Sequence, residues 1–87
     1  MAVRKTYVIE VDPTSGDRIE YEYDYSDRIW NVYAIDGFSG YPIESGYAGC
    51  RSELMWMIDN EVYGWFDDEQ ARADARRAYE LWGDRAY

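Results

Sequence analysis

Eighty-seven residues is one domain's worth of chain, since domains run from roughly 50 to 200 residues. Nine basic residues against 18 acidic ones leave a net charge of −9, which disfavours direct binding to nucleic acid or an anionic membrane, because both need a positive face. Histidine is absent, and with it the usual general base, zinc ligand and physiological pH switch.

The charge does not imply disorder. Ten tyrosines, four tryptophans and two phenylalanines can each bury about 150–250 Å². The lone cysteine, Cys50, permits no internal disulfide, so the cytoplasm is the expected compartment. No apolar segment follows the first five residues and no apolar run approaches 18 residues, so neither secretion nor membrane spanning is expected.

In chain order, Val3 to Val11 alternates as a first strand, with Tyr7, Ile9 and Val11 on one face. Asp12-Pro-Thr-Ser-Gly-Asp17 is a turn, and it lacks the spaced carboxylates of a calcium loop. From Ile19 to Tyr25 the period is two. Ile19, Tyr21, Tyr23 and Tyr25 fall on one face, and Glu20, Glu22 and Asp24 on the other. Those carboxylates would stand about 6–7 Å apart in a row, without the Lys or Arg that usually dilutes such a surface. Ser26-Asp27 allows a reversal into Arg28–Ile35. Asp36-Gly37 is a two-residue hairpin signal, with Phe38 to Glu44 as a short fourth strand that Pro42 confines to an edge. Residues 36–49 carry four glycines and read as the loosest part, with Tyr41 and Tyr47 exposed.

At Cys50 the period changes. Cys50, Leu54, Met57, Ile58 and Glu61 form a helical stripe, with Cys50 a small buried residue and Trp56 on the flank. After Asn60–Gly64 a second helix starts with Asp67 as N-cap, Gln70 at N3 and Phe66 stapled onto Ala71. Its inner face is Ala71, Ala75 and Ala78, closed by Trp82, and Gly83 stops it. Asp68–Arg72 and Arg76–Glu80 read as i, i+4 pairs. Asp67, Asp68 and Glu69 read as a helix-start acidic turn rather than a metal cluster. No internal repeat is visible.

The expected fold is α+β, one domain over 1–87, with a three- to four-stranded antiparallel sheet (1–46) and two C-terminal helices (47–87) packed on one of its faces. Catalytic residues, metal and cofactor are all expected to be absent: Cys50 lacks a histidine partner and no glycine loop cradles a phosphate. What remains is surface. The candidate partner-binding residues are Glu20, Glu22, Asp24, Asp27, Asp17, Glu10, Asp12, Tyr41 and Tyr47, facing a basic protein surface.

In its short acidic domain, absent histidine and row of Glu20, Glu22 and Asp24 with Asp17 and Asp27 beside it, the chain resembles the small anti-defence proteins of phages and mobile elements, the anti-CRISPR and antirestriction proteins, some of them DNA mimics. The resemblance carries no diagnostic motif. It implies an inhibitor of a nucleic-acid-binding defence complex in the bacterial cytoplasm. Mimicry would need a second acidic row, from Glu10 and Asp12 or from Asp67, Asp68 and Glu69, because duplex DNA carries a charge every ~1.7 Å. The alternative is an acidic adaptor or structural protein, a homodimer in one version, that binds through aromatic anchors such as Trp56 or Tyr47. A halophilic surface is a third explanation of the charge, and the aromatic content fits it poorly.

Overall fold

The computed structural model describes residues 5–83. Strands β1 (Thr6–Asp12), β2 (Asp17–Asp24), β3 (Ile29–Ile35) and β4 (Pro42–Ala48) form one antiparallel meander in that order. A first helical run follows: α1 (Arg51–Met57), a π-helical turn (Ile58–Val62) and α2 (Tyr63–Trp65). The second helix is α3 (Glu69–Trp82). The α+β order is as expected. Residues 42–48, however, are a strand rather than a loose loop, and the sheet reaches Ala48.

The three hairpins are built alike, and this is the internal repeat that sequence reading missed. Asp12, Asp24 and Asp36 each open a turn in which the backbone carbonyl accepts from the N–H four residues on: Gly16 at 2.8 Å, Arg28 at 2.7 Å and Gly40 at 2.7 Å. Each aspartate side chain also caps the turn, Asp12 taking Thr14 N (2.9 Å), Asp24 taking Ser26 N (2.9 Å) and Asp36 taking Ser39 N (3.0 Å). Such Asx caps stand in for backbone turn bonds. The fifth residue is left-handed each time, with φ of 85° at Gly16, 56° at Arg28 and 75° at Gly40. Glycine takes that conformation freely, whereas Arg28 pays for it. The Asp36-Gly37 pair is therefore not a two-residue hairpin. Gly37 is needed for another reason: a Cβ there would lie 2.0 Å from the Ser15 carbonyl oxygen, so the two turns at this end touch backbone to backbone.

One face of the sheet carries the core. Ile19 and Tyr21 of β2, Val32 and Ala34 of β3, and Ile43 and Ala48 of β4 are buried, with Tyr7, Ile9 and Val11 of β1 partly buried against them. The helices cover this face from the β4 side, α1 contacting β3 and β4 and α3 contacting β4. Gly46 gives the first helical run room: a Cβ there would stand 3.1 Å from the Trp65 ring and 3.3 Å from the Met57 methyl.

The buried stripe of that run is Leu54, Ile58, Val62 and Phe66, and Glu61 is exposed. At 3.6 residues per turn, a spacing of four drifts by about 40° at each step. The π turn, wider than an α turn, absorbs the drift and shifts the stripe from Glu61 to Val62. Asn60 Nδ2 bonds the Trp56 carbonyl there at 2.8 Å. Two further expectations fail by position. Cys50 is exposed at the N-cap of α1, and Trp82 is 70% exposed, so it closes no face. The N-cap of α3 is Asp68, whose side chain accepts from Ala71 N at 3.1 Å. Ala75 is buried and Gly83 (φ 75°) stops the helix.

Candidate partner-binding surfaces

Most of the expected carboxylate row is engaged within the molecule. Glu20 accepts from Arg18 Nε at 2.6 Å, its side chain only 18% exposed. Asp24 is buried and turned into its own hairpin, capping Ser26 and Asp27. Glu22 is half-buried, in register with Thr6 on one side and Asn31 on the other. The sequence signal failed because Arg18, two residues ahead on the same face, escaped the i, i+2 count that began at Ile19. Three carboxylates standing unneutralised in water is therefore corrected.

Asp17 is corrected more strongly. It is buried, and its carboxylate meets Arg72 at 3.2 Å through both oxygens and Gly37 N at 2.8 Å. Arg72 also reaches Asp36 at 2.8 Å and the Phe66 carbonyl at 2.8 Å. Arg76 joins Asp36 at 3.4 Å and lies over the Phe38 ring. Burial pushes the Asp17 and Asp36 carboxyls upward, but hydrogen bonds and charge outweigh it and hold both below the usual range: Arg72 and Gly37 for Asp17, Ser39 and Arg76 for Asp36. The Asp17 hydrogen bond, against the cost of burial, lifts the Arg72 pKa. Arg72 and Arg76 thus clamp α3 to both turns at one end of the sheet, where sequence reading gave them to helix-surface pairs. The missed signal was their place beside the inward Ala71 and Ala75.

The other candidates scatter. Glu10 and Asp12 are exposed at the far end of β1, Asp12 partly engaged by its turn. Asp27 is exposed at the opposite end of the sheet, about 23 Å away along β2 at about 3.3 Å per residue. Tyr41 is buried, against expectation, because β4 turns it into the core; Tyr47 is 69% exposed on the uncovered sheet face. The structure does not gather these residues into one patch.

A different surface does concentrate negative charge. From Ser52 to Ala71 there are six acidic residues, Glu53, Asp59, Glu61, Asp67, Asp68 and Glu69, and no basic one; all six are exposed. Glu53, Trp56, Asn60 and Tyr63, spaced 3, 4 and 3 apart, share the outer stripe of the helical run opposite Leu54 and Ile58. Trp56 is 58% and Tyr63 44% exposed. Two large aromatics in an acidic surround have the composition of an interface centre rather than of a solvated face.

At the end of the sheet away from the clamp, aromatic rings stand where helical cover runs out. Tyr7 stacks on Tyr21 at 5.1 Å, and Tyr23 meets Trp30 at 5.2 Å and Tyr25 at 4.9 Å. Lys5, Tyr7, Tyr23, Tyr25 and Trp30 line a cleft of about 240 Å³. Lys5 lies over Tyr7 and Arg51 over Trp30, so this cleft already holds its own cations. Cys50 sits nearby in sequence, its thiol drawn below the ordinary value first by the Ser52 hydroxyl (3.3 Å) and then by the Glu53 N–H.

Among the described residues no group of three or more Cys, Asp or Glu is placed to hold a metal ion, and no helix is long and apolar enough to cross a membrane. Comparison with protein-family models, curated proteins and solved structures finds no match.

Proposed function

We propose that this protein is an acidic inhibitor that docks on a basic, nucleic-acid-binding surface of a bacterial defence complex, as anti-CRISPR and antirestriction proteins do. The observation that carries this reading is the outer face of the first helical run, where Trp56 and Tyr63 are exposed within a stretch of six acids and no base. It replaces the β2 row as the docking face. The acids steer the encounter and reject anionic competitors, while the aromatics supply contact area at small entropic cost.

The test is displacement. DNA or guide–target duplex bound to purified CRISPR effectors and restriction enzymes is challenged with micromolar protein. Release from one complex is expected, weakening steeply between 50 and 500 mM salt (chosen conditions). Trp56→Ala and the triple change Glu53→Gln, Asp59→Asn, Glu61→Gln should each raise the inhibitory concentration at least tenfold. A panel in which every complex keeps its nucleic acid sinks the proposal.

A second reading has its own observation. Val8 (58%) and Tyr47 (69%) are exposed on the sheet face that no helix covers, which suits an adaptor or a homodimer. Light scattering decides between them: a dimer that Val8→Lys dissociates favours this reading, and a monomer at all concentrations removes it.

A further inference from the structure

We infer that the groove between β4 and α3 receives a long basic side chain, lysine or arginine, from the protein partner. The inference rests on the reading that the partner's surface is basic, and it adds a second contact site to it. The groove encloses about 470 Å³, within the range of about 300–1,000 Å³ typical of ligand sites. Its α3 wall is Ala71, Ala75 and Ala78, with Asp74 among them, and its β4 wall includes Tyr41 and Glu44. Both acids are exposed and no basic residue lines the groove. Asp74 accepts from Gln70 Nε2 on one oxygen at 3.2 Å.

Tyr41 supplies the independent observation. The residue is 8% exposed, and its hydroxyl is the only buried side-chain polar atom among the described residues without a hydrogen-bond partner. Burying a hydroxyl without a partner is unfavourable, and an apolar occupant would leave it so. A basic side chain suits every part of this lining. Its methylene stem covers the alanines, as long cationic side chains commonly cover apolar surface. The head group is set between Glu44 and Asp74, and its N–H donors come within reach of the phenolic oxygen once the walls adjust around it. The small residues of α3 are what leave room for the stem.

The probe is the peptide Ac-Gly-Arg-Gly-NH2, titrated into ¹⁵N-labelled protein, with its citrulline counterpart as the uncharged control of the same shape. Expected are saturable shifts at the amides of Glu44, Ala71, Asp74, Ala75 and Ala78, at least tenfold weaker for citrulline. Asp74→Asn should weaken binding threefold or more. Tyr41→Phe should weaken it too, while leaving the melting temperature unchanged or raised. Shifts centred on residues 53–69, equal response to citrulline, indifference to Asp74→Asn, or no saturation by 20 mM would each overturn the inference. Those outcomes leave the displacement assay with Trp56→Ala untouched, so failure of the groove and failure of the docking face are separable.

Discussion

The two ends of the sheet are held by opposite chemistry. At one end the turns after β1 and β3 meet through Gly37, and buried carboxylates on both are gripped by two arginines of α3. At the other end, the turn after β2 is flanked by tyrosines and a tryptophan that no helix fully covers, Tyr25 being 63% exposed. The clamped end depends on groups far apart in the chain, Arg72 and Asp17 standing 55 residues apart. The aromatic end is made by cross-strand neighbours. Removing one partner of a buried ion cluster strands the others without solvent, whereas trimming an exposed ring exchanges contact for water. The clamped end should therefore be brittle and the aromatic end tolerant.

The largest effect is expected from Asp36→Ala, which leaves Arg72 and Arg76 short of a partner and uncaps a turn. It should cost about 3–5 kcal/mol in urea unfolding; a loss below about 1 kcal/mol would mean that the clamp is ornamental. Gly37→Ala comes next, because its Cβ is directed at the backbone of residues 15–17. About 1–3 kcal/mol should be lost by the same measurement, and a neutral result would break the picture of touching turns.

Acid probes the same end without mutation. Asp17 and Asp36 ionise more readily folded than unfolded, so their stabilisation is complete above the unfolded carboxylate value of about 3.9 and is lost as pH falls below it. Melting temperature should drop most steeply from about pH 4 downward, and Asp36→Asn should flatten that slope. A steep slope that persists in Asp36→Asn would move the acid-sensitive group elsewhere.

At the tolerant end the effects are small and of either sign. Arg28 occupies the left-handed position that glycine fills in the two sister turns, so Arg28→Gly should stabilise by about 0.5 kcal/mol, the left-handed penalty outweighing the extra freedom of the unfolded chain. Tyr25→Ser should change stability by less than about 0.5 kcal/mol. A loss of several times that would show that the exposed ring braces the sheet after all.

What could be read from the sequence follows the same divide. The β2 alternation is local, and Ile19 and Tyr21 lie inward as their period requires. The helix stop at Gly83 is equally local. Arg18–Glu20 was within reach and was missed by starting the pattern one residue late. The clamp was not legible, because nothing near Arg72 in the chain announces Asp17. Nor was the burial of Tyr41, which depends on where β4 begins. The stripe of the first helix was misplaced by one residue because a helical wheel assumes one pitch throughout, and this run has two. Cys50 was assigned to the interior by residue type, but its place ahead of α1 leaves it outside. Of the candidate site, the kind of surface was readable from charge and aromatic content; its location required the packing that engaged Glu20, Asp24 and Asp17 elsewhere.

The wide turn at Ile58–Val62 also bears on how this chain can vary over generations. It behaves as a single inserted residue that keeps two opposite stripes in phase, one inward and one outward. Losing any one residue between 58 and 62 would restore an ordinary coil and swing everything downstream by about 100°. Phe66 would leave the interior and Tyr63 would part company with Trp56. Substitutions along this helix can therefore accumulate while its length stays fixed, so length rather than identity is the trait expected to be held constant here.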